Sequence, residues 1–253
     1  MIKMIQIIPI KEIPIINQGD NLVEIILDAC KKERIKLKNK DILIIAQTII
    51  SKSEGRIIKL KNIIPSKFAK ILSKKVNKDQ KLIELILQES NSIIKIGNGK
   101  LISESRLGFV CADAGIDHSN SPPGTVTLLP LEPDKTAERI VDEIQEEEDI
   151  HIAVIVTDTH GRPFREGGVN VAIGLAGIEP ILDYRGKKDL YNNELISTKV
   201  SIADELAAAA ELLMGEANEK IPVVIIRGYN YNPTNISNLS QKLIRNAETD
   251  LFR

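Results

Sequence analysis

The 253-residue chain has no tryptophan, only two cysteines and no surplus of basic residues, and each scarcity argues against a class of function. The net charge is -1, whereas nucleic-acid-binding domains usually carry clustered Lys and Arg and a high isoelectric point. Cys30 and Cys111 form neither a CxxC pair nor a zinc-binding pattern, which predicts reduced thiols. No apolar run approaches the ~20 residues that a membrane-spanning helix needs. We therefore expect a cytoplasmic protein without a nucleic-acid or membrane partner.

Motifs of several common enzyme families are also missing. The sequence has no GxxxxGK[ST], which excludes a P-loop, and no GxGxxG after its first apolar segment, which excludes a Rossmann fingerprint. It has neither a GxSxG nucleophile elbow nor an HExxH zinc motif. Hydrophobic residues nevertheless make up 43% of the chain, enough for a sizeable core.

Apolar periodicity predicts strands and helices along the whole chain. Strands are predicted at residues 4–10, 41–50, 93–112, 125–131, 151–159, 197–202 and 221–228. Helices are predicted at residues 22–32, 66–92 (two helices, divided near Asn77–Lys78), 134–148, 202–214 and 235–253. Capping residues are predicted at Asp20 for the first helix, at Gly215 after 202–214, and at Asn235 or Ser237 for the last. The elements do not alternate as clean βαβ units, which favours an α+β or irregular α/β fold over a doubly wound sheet.

Three acidic residues stand beside strand ends, helix ends and loops. Asp158 ends an apolar strand directly before Thr159, Asp117 lies in the loop AGIDHSN, and Glu216 follows Gly215. Carboxylate oxygens suit Mg²⁺ or Mn²⁺, which in turn bind phosphate oxygens. The alternative for each residue is a solvated carboxylate or a turn cap.

Basic and hydroxyl side chains lie near these acids and could contact phosphate. They are Thr48, Ser51, Lys52, Arg56, Thr159, Arg162, Arg165, Arg185, Lys187 and Lys188. The alternative for the basic residues is a solubilising surface. His118 and His160 are candidate bases or metal ligands, whereas Asp113 and His151 are interpreted as structural. The residues alone thus indicate a soluble enzyme of phosphate and metal chemistry, without naming its reaction.

Six longer segments resemble the coenzyme F-420 gamma-glutamyl ligase family in sequence, order and spacing. They are TIISKSEGR (48–56), AGIDHSN (114–120), TDTHGRPFR (157–165), AIGLAGIEPILDYRGKKDLY (172–191), ADELAAAAELLMGE (203–216) and IPVVIIRG (221–228). The resemblance implies an α+β fold of two lobes, one ligase module spanning residues 1–253, and an intertwined homodimer.

The resemblance also implies a reaction. GTP would activate the terminal carboxylate of the deazaflavin precursor of coenzyme F-420 as an acyl phosphate. The α-amine of L-glutamate would then attack that carbon, and a second glutamate would be added through a γ-carboxylate. Divalent cations, Mn²⁺ or Mg²⁺, would neutralise phosphate charge during transfer, with K⁺ as a possible further ion. No covalent protein nucleophile is required.

Matching positions imply individual roles for the residues. Asp117 and Asp158 would bind one divalent cation, and Thr159 and Glu216 a second. GTP contacts would come from Lys11, Glu12, Ile13, Pro14, Gln47, Thr48, Lys52, Asn120, Met214, Gly215, Glu216, Ala217, Asn218, Glu219, Lys220 and Ile221. Arg162, Arg185 and Lys187 are candidate contacts to substrate or phosphate.

Two other functions remain open from the sequence: a metal-dependent ligase acting on another carboxylic acid, and a non-catalytic nucleotide-binding module. Gln47 and the pair Lys11–Glu12 depart from the family pattern, which leaves open whether GTP or another triphosphate is used. The number of glutamates added and the metal used in the cell are open as well.

Overall fold

The computed structural model describes residues 4–252, and helices and strands are mixed throughout that range. The helices are α1 (Leu22–Lys32), α2 (Gln47–Ser53), α3 (Lys67–Val76), α4 (Gln80–Gln88), α5 (Pro133–Glu148) and α6 (Ile202–Met214). The strands are β1 (Gln6–Ile10), β2 (Ile42–Ala46), β3 (Ile57–Lys59), β4 (Ser90–Gly97), β5 (Lys100–Ser105), β6 (Val110–Ala112), β7 (Thr125–Thr127), β8 (Ala153–Gly161), β9 (Gly168–Ile178), β10 (Ile181–Asp183), β11 (Lys199–Ser201), β12 (Val223–Arg227) and β13 (Pro233–Thr234). This mixture confirms the predicted α+β class. Among these residues no helix has the length and apolar character to cross a membrane.

The largest sheet has the strand order β1-β12-β2-β8-β9-β13, and only β2 and β8 are parallel neighbours. Its central strands are apolar on both faces because helices cover both sides. Leu43 and Ile45 of β2 share a core with α1 and α5. Ile42 and Ile44, which alternate with them, pack on the opposite face with α6.

A third core lies outside the two faces of the large sheet. It is formed by α3 and α4 with Leu101 of β5 and Val126 of β7. The strands β4, β5 and β6 form a separate antiparallel sheet beside these helices. The prediction of two helices divided near Asn77–Lys78 is confirmed, and the prediction of two lobes stays a prediction.

The predicted strand at residues 41–50 is wrong in its second half. β2 ends at Ala46, opposite Thr157 of β8, and the chain turns directly into α2. The side chain of Ser51 donates a 2.9 Å hydrogen bond to Gln47 one helical turn earlier. Ile49 and Ile50 fill the core from this short helix, so packing overrides the preference of β-branched residues for strands.

Two predicted helix termini also differ. Asn21, rather than Asp20, caps α1, because its Oδ1 accepts from the backbone N–H groups of the first turn, while Asp20 accepts from Asn17 N. The predicted helix at 235–253, with a cap at Asn235 or Ser237, is wrong. The described part of this segment, residues 235–252, holds only a short 3₁₀ helix, Leu239–Leu243, docked through Ser240 onto the buried carboxylate of Asp134.

Candidate active site

Several chain segments meet at one edge of the large sheet. Because β2 and β8 are parallel, their carboxyl ends lie side by side, with Ala46 opposite Thr157. β12 runs antiparallel to β2, so its first residue, Val223, lies at the same edge. Ile10, the last residue of β1, pairs with Val223. We call this the catalytic edge, and it is where residues 11–14, 47–52, 158–161 and 214–222 come together.

The β8–β9 hairpin extends beyond the catalytic edge. A register shift between Val156 and Thr157 precedes the part in which Asp158 to Gly161 pair with Val171 to Gly168. Asp158 is half-buried, and its Oδ2 lies 3.1 Å from His160 Nε2. The His160 ring stands edge-on to Phe109, with centroids 6.5 Å apart. His160 therefore orients the Asp158 carboxylate and is itself held by packing.

Thr159 is the centre of a polar network between β8, β9 and the end of α6. Its Oγ1 lies 2.6 Å from Asn170 Oδ1 and 2.5 Å from Glu216 Oε1. The Asn170 amide donates from Nδ2 to Glu211 Oε2 at 2.6 Å. Gly215 ends α6 with a φ of +65°, a conformation that favours glycine, and so turns Glu216 towards Thr159. Thr159 and Glu216, the two predicted ligands of one cation, are thus in contact, and their role as ligands stays a prediction.

The carboxylates around α6's end repel one another. The pKa of Glu211 is raised to about 7 by burial, by the charge and hydrogen bonding of Glu216 and by the charge of Glu219, while Asn170 opposes the rise. Across residues 4–252, none of these three carboxylates forms an ion pair with a basic side chain. The network therefore carries negative charge that no basic side chain of the described residues neutralises.

Such a surplus fits a divalent cation. Over the same described residues, no three His, Cys, Asp or Glu side chains converge as a complete metal cage. Mg²⁺ and similar ions in nucleotide enzymes are typically held by one or two carboxylates, with phosphate oxygens and waters completing the shell. The pairing of Thr159 with Glu216 matches that incomplete, open type of site.

The loop containing Asp117 lies near α2. Asp117 accepts from Ser119 N at 2.8 Å and from the Ser119 hydroxyl, while its backbone bridges to Thr127. Burial lowers the pKa of Lys52, in the last turn of α2, and the charge of Asp117 partly opposes this. Lys52 is thus held half-buried within electrostatic reach of Asp117. Asn120, in the same loop, is exposed with a φ of +49°.

The remaining nucleotide candidates are held at the catalytic edge in different ways. The backbone N–H groups of Lys11 and Glu12 both donate to Glu33 Oε1, and Ile13 is buried in the core. Gln47 is buried and engaged by Ser51, with its Nε2 3.4 Å from Thr48 Oγ1. The segment from Gly215 to Lys220 is exposed.

Comparison with known proteins identifies the family of the chain. The model of the family described as F420-0:Gamma-glutamyl ligase matches residues 11–228. The chain belongs to this family. A protein named coenzyme F420:L-glutamate ligase from Methanothermobacter thermautotrophicus is 46% identical, covering 98% of this chain and 99% of that relative. Proteins of the same name from Methanocaldococcus jannaschii and Archaeoglobus fulgidus are 46% and 37% identical, over 96% and 98% of this chain.

Some predicted site residues of this member of the F420-0:gamma-glutamyl ligase family lie away from the catalytic edge. Arg185 forms a forked ion pair with Asp183, and Lys187 Nζ lies 4.6 Å from the centroid of the Tyr184 ring. The preceding strand β10 pairs with β11, which leads into the first turn of α6, whereas the catalytic edge lies at the other end of that helix. Arg185 and Lys187 therefore lie away from the site formed by the same chain.

Two further candidates, Arg162 and Asp113, have structural partners. The guanidinium of Arg162 donates to the carbonyl oxygens of Glu166 and Gly167 and so holds the turn of the β8–β9 hairpin. Asp113 forms an ion pair with Lys78 and accepts from Leu101 N, which fits its predicted structural role. Cys111 and Cys30 are buried free thiols, as predicted.

Reasoning from the sequence missed Asn170 and Glu211 in this family member. One signal was present, because asparagine is depleted in strands and Asn170 interrupts the apolar run GVNVAIG. Glu211 gave no comparable signal, since a glutamate near a helix end is ordinary in an exposed helix. Only the approach of α6 to β9 makes it part of the network.

Proposed function

We propose that this protein is a ligase that joins L-glutamate to the deazaflavin precursor of coenzyme F-420, with GTP as the phosphoryl donor. The observation that supports the proposal is the catalytic edge of a member of this family. There α2, which carries Lys52, follows β2, the carboxyl end of β8 carries Asp158 and Thr159, and Thr159 contacts Glu216. The names of relatives that cover nearly the whole chain support the acceptor and the amino acid.

The proposed reaction has two steps. In the first, a carboxylate oxygen of the precursor attacks the γ-phosphorus of GTP, forming an acyl phosphate and releasing GDP. In the second, the α-amine of L-glutamate attacks the acyl carbon, an amide forms, phosphate leaves and the amine loses a proton. A further glutamate would add in the same way to the γ-carboxylate of the first.

The protein's own side chains would bind and orient the reactants. Lys52 would place a positive charge on a phosphate oxygen, since its ammonium is half-buried beside Asp117. Asp117 with Asp158, and Thr159 with Glu216, would hold two divalent cations, Mn²⁺ or Mg²⁺. When bound, these ions would neutralise the charge of the transferring phosphoryl group. Residues 11–14, Asn120 and the segment 214–221 would enclose the nucleotide.

We further propose a cytoplasmic homodimer. Arg185 and Lys187 remain candidates for the acidic groups of the acceptor, although their own chain holds them away from the catalytic edge. Either the acceptor is long enough to span both regions, or a second copy of the chain supplies them.

The test is product analysis by mass spectrometry. Purified protein is incubated with the deazaflavin precursor, L-glutamate, Mn²⁺ and either GTP or ATP. We expect successive glutamyl additions that need the metal and prefer GTP. Binding of GTP without any addition would contradict the proposal and favour another carboxylic acid or a nucleotide-binding role.

A pair of variants tests the site itself. Asp158→Asn keeps the size of the side chain but removes its charge, and we expect it to abolish product formation. Asp142→Asn makes the same change at an exposed position on α5 and should leave the rate unchanged. Normal turnover by Asp158→Asn would refute the role given to Asp158.

A further inference from the structure

A buried amide connects the last turn of α6 to the Thr159 hydroxyl. Asn170 stands opposite Thr159 in the β8–β9 ladder and is 4% exposed. Its Oδ1 lies 2.6 Å from Thr159 Oγ1, and its Nδ2 lies 2.6 Å from Glu211 Oε2. Both ends of the amide are therefore engaged, one on β8 and the other on α6.

The orientation of the amide follows from its two partners. A flip about the last side-chain torsion would turn Oδ1 towards the Glu211 carboxylate and Nδ2 towards Thr159. An oxygen facing a carboxylate would be repulsive, so Glu211 fixes the amide with its oxygen towards Thr159. Asn170 consequently presents an acceptor, and only an acceptor, to the Thr159 hydroxyl.

The hydroxyl has a single proton and two acceptors within reach. Thr159 Oγ1 lies 2.6 Å from Asn170 Oδ1 and 2.5 Å from Glu216 Oε1. If the proton points to Glu216, it neutralises part of the charge that a cation would need. If it points to Asn170, the lone pairs of Thr159 Oγ1 and of Glu216 Oε1 are free in the same space. A well-placed acceptor at Asn170 therefore decides how good a ligand pair Thr159 and Glu216 make.

We propose that Asn170 is a positioning residue that takes the Thr159 proton, with Glu211 fixing its amide, and so prepares Thr159 and Glu216 to bind a divalent cation. This inference rests on the function proposed above. It assigns to Asn170 and Glu211 an effect on cation affinity that operates through Thr159, and it gives neither of them direct contact with the cation.

The test measures Mn²⁺ affinity rather than turnover. The full chain, with a fixed concentration of a non-hydrolysable GTP analogue, is titrated with Mn²⁺ and the free ion is followed by electron paramagnetic resonance against a protein-free blank. We expect Asn170→Ala to weaken Mn²⁺ binding about 10- to 100-fold, the usual range for outer-shell partners of metal ligands. The matched control is Thr157→Val, which removes another buried hydrogen bond of the same ladder, to Val171 O, and should change the affinity less than 3-fold.

A double-mutant cycle separates positioning from general disruption. If Asn170 acts through Thr159, Asn170→Ala should have little further effect on Mn²⁺ affinity in a Thr159→Ala background. Equal weakening in both backgrounds would overturn the inference. The double variant Asn170→Asp with Glu211→Gln exchanges the amide and the carboxylate. It keeps the total charge and one amide-to-carboxylate hydrogen bond, so it should bind Mn²⁺ more tightly than Asn170→Asp alone.

The outcome for Glu216→Gln separates this inference from the proposed function. If Glu216→Gln weakens Mn²⁺ binding and Asn170→Ala does not, the positioning role is wrong while the metal assignment stands. If neither variant changes the affinity, both are wrong. Weakening by both, with loss of the Asn170 effect in the Thr159→Ala background, supports the positioning role.

Discussion

Removing the charge of Glu211 should make the metal-free protein more stable, although the substitution is made inside a polar network. In Glu211→Gln the side-chain oxygen can still accept from Asn170 Nδ2, which lies 2.6 Å from Glu211 Oε2. The new amide can also donate to Glu216, whereas in the unmodified protein two carboxylates face each other at this point. The variant thus keeps one hydrogen bond and removes a repulsion.

The magnitude follows from the pKa of Glu211. Burial, and then the charge of Glu216, raise the pKa from 4.5 to about 7. At 1.36 kcal/mol per pKa unit, this rise corresponds to about 3.4 kcal/mol. Because Glu211 is only partly buried, solvent screening reduces the effect, and we expect a gain of about 1–2 kcal/mol at pH 8.

The gain should depend on pH with a definite sign. A carboxyl whose pKa is raised by folding binds a proton more tightly in the folded state, so the unmodified protein loses stability as the pH rises from 4.5 through about 7. Glutamine does not titrate, so the variant escapes this loss. Urea unfolding of both proteins in EDTA should show the full gain at pH 8 and less than about 0.5 kcal/mol at pH 5.

The matched control is Glu205→Gln, an exposed glutamate on the same helix. We expect this change to shift stability by no more than about 0.5 kcal/mol, without a trend in pH. A Glu211→Gln variant that is less stable at pH 8, or equally shifted at pH 5 and pH 8, would refute the account of the carboxylate cluster.

Three substitutions outside the site test the supporting structure, each by urea unfolding. Arg227→Met removes two hydrogen bonds, of 2.6 and 2.8 Å, from Asp41, which is 1% exposed. We expect it to lower the free energy of unfolding by about 3–5 kcal/mol, and a loss below about 1 kcal/mol would contradict this. Ser240→Ala removes a 2.7 Å hydrogen bond to Asp134 and should lower the free energy of unfolding by about 1–2 kcal/mol. The C-terminal segment should also be cut faster by proteases, and unchanged proteolysis would argue against that anchor. Gly174→Ala places a Cβ 2.5 Å from the first turn of α5 and should lower the free energy of unfolding by about 1–3 kcal/mol. An unchanged stability would mean that α5 shifts to accommodate the methyl group.

The elements that the sequence predicted well are those in which local preference and packing agree. β8 is an apolar run buried on both faces, and α6 is rich in Ala and Leu and ends at a glycine with positive φ. α2 was missed because its isoleucines favour a strand locally, while β2 stops at Ala46 and the core takes up Ile49 and Ile50 from a helix. Within residues 235–252, the short 3₁₀ helix anchors the C-terminal segment through the buried Leu239 side chain and the hydrogen bond from Ser240 to Asp134, and no helical periodicity specifies it.

The candidate site divides in a similar way. Asp117, Asp158, Thr159 and Glu216 could be named from the sequence because they stand at positions to which the family resemblance assigns a role. Asn170 and Glu211 belong to the same network but are recognised only from pairing across β8 and β9 and from the approach of α6. These relations depend on register and helix placement, which local sequence patterns do not encode.

The direction of each strand explains why segments so distant in sequence share one edge. β1, β2 and β8 all run towards the catalytic edge, so the residues that follow them emerge there, while β12 runs away from it, so the residues that precede it must arrive there. α6 therefore has to end beside β8, and the exposed segment after Gly215 has to cross the ends of β8 and β2 to enter β12. The Asn170–Glu211 hydrogen bond joins the β8–β9 hairpin to α6. The hairpin carries Thr159, and Glu216 follows the end of α6, so this bond helps to fix the distance between the two residues. A change that loosens this bond should thus separate the two proposed cation ligands even though it touches neither.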